Sequence, residues 1–202
     1  MAEHRVSIDG GVDSNGNIVR PLPVSIPASS PFYPSSNPSI TGAYLFSVEN
    51  LAGVAAPNVY LSIYNPVGSG RNYATSGSFV SCAAGGAAGS TRSMRVYRIT
   101  GAPAGGSAQA ASTVCKLNSL YRDTNADIRI GGPTVTLGPA FSNTPPPVTS
   151  GAGGGQYVHN IEIPVGSPPF VLAPGEGVAF HNVLGDIDQV WNITIAWAEA
   201  DI

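Results

Sequence analysis

FVLAPGEGVAFHNVLGDIDQVWNITIAWAEA, residues 170–200, decides the fold class. In its last third, Trp191, Ile193, Ile195 and Trp197 recur at every second position, so an extended chain places all four on one face. Upstream, the stretch reads as strand, tight turn, strand, with the turn at PGEG (174–177), where Glu176 serves as a turn residue.

Working outward from there, short runs of the same kind fill the chain back to residue 43. They are AYLFSVEN (43–50), NVYLSIYNP (58–66), GSFVSCAA (77–84), SMRVYRIT (93–100), STVCKL (112–117), ADIRI (126–130), PTVTLG (133–138) and QYVHNIEIP (156–164). Many alternate with period two: in NVYLSIYN, Val59, Leu61 and Ile63 share one face and Tyr60, Ser62 and Tyr64 the other. In MRVYRI, Met94 and Val96 oppose Arg95, Tyr97 and Ile99, so neither face is fully polar. Gly/Pro/Asn/Ser clusters separate the runs, and only GSAQAAST (106–113) offers a short helical candidate. Eight to eleven short strands with punctuating turns predict an all-β fold, an antiparallel β-sandwich or jelly roll, over residues 41–202. FSNTPPPVTSGAGGG (141–155) reads as a surface loop of that domain.

Residues 1–40 differ. VSIDGGVDSNGNIV, with Asn15-Gly16 turn chemistry, predicts a small hairpin that two strands alone would hold only marginally. Prolines 21, 23, 27, 31, 34 and 38 then remove donors and fix φ, leaving an extended chain. At about 3.1 Å per residue, residues 21–40 span roughly 60 Å. Arg5, Arg20, Leu22, Val24, Ile26, Phe32 and Tyr33 give this extended N-terminal arm points of contact for a partner.

Composition points the same way. The 202 residues suffice for one sizeable core, and 43 % of them are hydrophobic. Only 10 % are charged, against roughly 25 % in an average soluble domain. A net charge of −3 argues against nucleic-acid binding, which needs a basic face. A chain with so little charge suits a life packed against copies of itself or another protein. MAEHRVSIDGG lacks the layout of a secretion signal, and no apolar run approaches the ~18 residues of a membrane span. Synthesis in a cytoplasm without membrane anchoring is the expectation. Cys82 and Cys115 could pair, but two reduced thiols is the plainer reading.

Chemistry-bearing residues are few. His159 and His181, with Glu162 or Asp186, are candidate ligands for a two-His metal site. The plainer reading is strand residues facing outward or hydrogen-bonded within a sheet, and no His-x-His cluster occurs. Asp186 and Asp188 in GDIDQ fit a loop before a strand. NIT (192–194) falls inside the best-patterned strand and is read as a chance sequon. No nucleophile elbow or phosphate-cradling loop is present. The chain reads as a non-enzyme with no cofactor.

YLFSVENLAGVAAPNVYLSIYNPVGSGR, MRVYRIT and GQYVHNIEIPVGSPPFVLAPGEGVAFHNVLGDIDQVWNITIAWAE together resemble small structural proteins of tailed-phage virions. These are jelly-roll-like or tumour-necrosis-factor-like sandwiches that decorate or cement a capsid, and the FVLAPGEGVAF hairpin beside an aromatic-rich final strand is the nearest part. The resemblance implies a virion protein made in the host cytoplasm, bound to the major capsid protein, forming a homo-oligomer, expected as a trimer, and reaching neighbours through its arm. A different class of function is a tail or head-fibre module that recognises host carbohydrate, with Tyr121, Tyr157 and Trp191 as candidates.

Overall fold

The computed structural model describes residues 40–85, 91–140, 148–149, 157–162 and 170–202, all within one unit, Pro38–Ile202. The arm, including Arg5, Arg20, Leu22, Val24, Ile26, Phe32 and Tyr33, lies outside the described residues, as does most of 141–155.

Fourteen strands follow one another along the described chain. The first seven are β1 (Ile40–Ala52), β2 (Asn58–Tyr64), β3 (Arg71–Gly85), β4 (Thr91–Arg92), β5 (Met94–Thr100), β6 (Ser107–Ala108) and β7 (Cys115–Lys116). The others are β8 (Asp127–Ile130), β9 (Leu137–Ala140), β10 (Val148–Thr149), β11 (Tyr157–Glu162), β12 (Phe170–Leu172), β13 (Glu176–Asn182) and β14 (Gln189–Asp201). Helix among the described residues is limited to one 3-10 turn, Ala111–Thr113, all that remains of the short helical candidate.

All pairings are antiparallel. One sheet runs β11-β3-β14-β1-β7, with β12 continuing the β11 edge along β3; the other runs β6-β8-β2-β13-β5-β9. The pairs β1·β14, β2·β13, β3·β11 and β5·β9 are nested and fall alternately in the first and second sheet. A long antiparallel hairpin wound around itself gives this order, which is that of a jelly roll. The expected all-β sandwich is therefore present. A separate two-stranded ribbon joins β4 to β10.

The core forms where the inward registers meet. Trp191, Ile193, Ile195 and Trp197 of β14 are at most 3 % exposed and face Leu61, Ile63, Met94, Val96, Val178 and Phe180 of the second sheet. Burying Ile193 or Ile195 contributes about 1.5–3 kcal/mol gross. The polar handles are satisfied: Trp191 Nε1 and Asn182 Nδ2 donate to Gln189 Oε1 at 3.2 and 3.0 Å.

The β12–β13 connection shows how local chemistry sets the register. Pro174 fixes φ, and Gly175 at φ 93° supplies the left-handed third position of a type II turn. Glu176 N donates to Ala173 O at 3.0 Å, closing the turn. The Glu176 carboxylate accepts from Ala173 N at 2.9 Å and pairs with Arg98 at 2.5 Å. Its role is that of a turn and cross-strand residue.

PTVTLG departs from the strand expected of it. Pro133 lacks a ladder donor, and β9 begins only at Leu137. Gly131–Thr136 instead leaves β8 beside Tyr60 and rejoins the sheet opposite Ile99, so it has to cross β2, β13 and β5. STVCKL likewise yields only the two residues of β7.

Candidate interaction surface

The candidate ligands for a metal are dispersed. His181 lies in the second sheet and His159 in the first, where its backbone pairs with Val80. Among the described residues no three His, Cys, Asp or Glu side chains are grouped to hold an ion. His181 meets Tyr97 edge-on at 5.7 Å, and its Nδ1 is buried without a hydrogen-bond partner. Burial, and then the nearby Arg95 guanidinium, lower its pKa from the ordinary value. Asp186 caps its own loop, accepting from Asp188 N at 2.9 Å. Of the sugar-binding candidates, Trp191 is 0 % exposed and belongs to the core, Tyr121 is half-buried in a loop, and the Tyr157 side chain is outside the description. Cys82 is buried and Cys115 exposed, and no disulfide joins them.

Sequence reading missed a buried charge cluster at one end of the first sheet. Glu199 continues the inward series of β14 and is fully buried. Its carboxylate pairs with Arg71 of β3 and accepts hydrogen bonds from Thr124 Oγ1 and, at 3.3 Å, from Trp197 Nε1. Asp201 pairs with Arg122 and lies 3.8 Å from Arg71. Tyr44 Oη donates to Arg122 O at 2.8 Å, and Tyr73 Oη donates to Asn125 Oδ1. Together these bonds fasten the loop 117–126 across the end of the sandwich. Burial, then the Glu199 charge, push the Tyr44 hydroxyl up to about 12 and that of Tyr73 further, so both stay protonated donors. The signal was available: two-residue alternation from Trp191 points position 199 inward.

With those charges on the inward register, the opposite face of the same sheet is neutral. Thr194, Ala196 and Ala198 of β14 share it with Ser47, Leu45 and Ala43 of β1 and with Phe79, Gly77 and Ala74 of β3. Cys115 of β7 stands opposite Leu45, and Val171 of β12 opposite Ala74. None of these side chains carries a formal charge. Among the described side chains, a carboxylate stands only at the margin, that of Glu49 in the bulge after Val48. The polar groups bond one another, Ser47 Oγ to Thr194 Oγ1 at 2.8 Å and Asn50 N to Asn192 Oδ1 at 2.8 Å.

The second sheet treats its outer face differently. Val59, Tyr64, Ile99 and Ala179 form a buried cluster there, with Val135 of the crossing segment packed on it; the register shift between Leu61 and Val59 puts Val59 here and Tyr60 in the inner core, the reverse of strict alternation. Gly101–Gly106, which also runs from β5 towards β6, is tied to that segment through Ala104 and Thr134, whose N and O atoms exchange hydrogen bonds of 2.9 and 2.7 Å. Ser62 Oγ, on the same face, is buried and without a partner. This explains why neither face of MRVYRIT is polar.

No family model, curated protein or solved structure matches this chain.

Proposed function

We propose that the chain is a structural building block of a phage virion, decorating or cementing the capsid shell as an oligomer. The jelly roll is the rigid knob, and the arm, residues 1–40, lies along a neighbouring shell or decoration subunit. The observation that carries this reading is the neutral outer face of the β1·β14·β3 sheet on a chain that is only 10 % charged. A surface without charge is poorly suited to a free monomer and well suited to a packed assembly. The proline-spaced apolar residues of the arm add to it. Each side chain moved from water into an interface contributes about 1.5–3 kcal/mol gross. Ordering the arm costs a similar amount, so multiple copies supply the avidity.

Purified full-length chain added to shells lacking it tests the reading. The wild type should co-sediment at a fixed stoichiometry. A variant with Leu22, Val24, Ile26, Phe32 and Tyr33 all changed to Ser should keep its melting temperature and lose shell binding by at least tenfold. Full occupancy by that variant would remove the arm from the mechanism, and absence of wild-type binding would sink the virion role.

A further inference from the structure

We infer that the neutral outer face of the β7-β1-β14-β3 sheet is the contact surface for a second copy of this chain, packed face to face about a two-fold axis. The inference rests on the assembly reading only in expecting a partner; what carries it is the distribution of charge and exposed apolar surface. Ten large hydrophobic side chains are exposed among the described residues, and four of them, Ile40 (42 %), Phe79 (40 %), Leu117 (61 %) and Val171 (43 %), share this one face. Arg71, Glu199, Asp201 and Lys116 of the same strands take the opposite register, against the usual polarity of a sheet that meets water.

A second copy suits such a face better than other occupants. Nucleic acid would find no cation among the described side chains there, and an anionic membrane surface would meet Glu49 at its margin. An identical neutral face brings no like-charge repulsion, although each chain carries −3. The alanines and glycine along its centre permit the ~10 Å approach of packed sheets. The three long strands β1, β14 and β3, spaced at about 4.8 Å and roughly 35 Å long, with the short β7 and β12 on their edges, offer about 600 Å² per copy. That is roughly three quarters of the ~800 Å² per partner of a standard stable interface. Self-complementary packing of one face on itself is two-fold, so the contact makes a dimer.

Sedimentation equilibrium of the full chain between 1 and 100 μM tests this, with a melting curve for each variant to certify its fold. The wild type should show the mass of two chains. Phe79→Asp, and separately Val171→Asp, should raise the dissociation constant at least 100-fold. Val67→Asp, at a more exposed residue of the β2–β3 turn away from this face, should change it less than twofold. A single-chain mass at 100 μM overturns the inference. So does a two- or three-chain mass that survives both face variants, or one lost only when the arm residues are changed. The readout needs no shell, so failure here leaves the virion reading to be decided by shell binding.

Discussion

The two sheets handle their outer faces in opposite ways. The β2·β13·β5 face is apolar and is roofed by the chain's own Gly101–Gly106 and Gly131–Thr136, so Ile99 and Ala179 are fully buried. The β1·β14·β3 face is neutral, with Phe79 and Val171 left substantially exposed, while Arg71, Glu199 and Asp201 take the opposite register. A sandwich needs one apolar face per sheet. Here each sheet has a second face unsuited to water: one is closed within the chain, and the other is the face to which assembly is assigned above. The comparison teaches that low overall charge has a spatial meaning in this molecule.

The largest expected effect comes from the inward charges. Glu199→Ala leaves Arg71, whose side chain is 11 % exposed, without its closest carboxylate. It also takes away the acceptor for Thr124 and Trp197. Breaking one half of a buried pair typically costs 3–5 kcal/mol; Asp201 at 3.8 Å offsets part of that, so about 3 kcal/mol is expected in urea unfolding. Glu199→Gln, which keeps acceptor and shape, should lose less. An unaffected Glu199→Ala would mean that the inner charge cluster does not hold this sheet together, and the inverted polarity would lose its structural reason.

The next comparison makes truncations of similar kind on the two outer faces. Ile99→Ala removes a fully buried side chain beneath the roof and should cost about 2–4 kcal/mol. Phe79→Ala removes a larger side chain from the open face and, in protein dilute enough to be single-chained, should cost about 0.5–1 kcal/mol. Equal losses would show that the two faces are covered alike.

Much of this contrast was legible in the residues, and some was not. The alternation of WNITIAW placed β14 correctly because a central strand of large side chains repeats its own face in every pair. In MRVYRIT, apolar residues on both faces announced two-sided burial, but the roof over Ile99 depends on a pairing of Ala104 with Thr134 that has no local pattern. Arg71–Thr75, the opening of β3, mixes strand-favouring Tyr73 and Thr75 with Arg71, Asn72 and Ala74, which have little strand preference; pairing with β14 and β12 makes it a strand. Glu199 was legible as inward-facing, whereas its partner Arg71 lies 128 positions away and nothing in either local sequence links them. The neutral face was hidden for the same reason: Ala, Ser, Thr and Phe read as ordinary strand residues until the register aligns them.

The smallest effect concerns the margin of the roofed face, where His181 abuts Tyr97 and its Nδ1 has no partner. Burial and Arg95 lower its folded pKa below the ordinary value near 6.5. As pH falls through 6.5, the unfolded chain takes up a proton that the folded chain refuses, so stability is full above that pH and declines below it. Acidifying from pH 7.5 to 5.5 should therefore lower the wild-type melting temperature by about 2 °C or less more than that of His181→Phe, which has nothing to titrate there. Melting curves of both proteins at the two pH values check this. If His181→Phe shows the same acid-dependent loss as the wild type, water and protons reach the ring freely, and the second sheet is open at that margin much as the first sheet is along its centre.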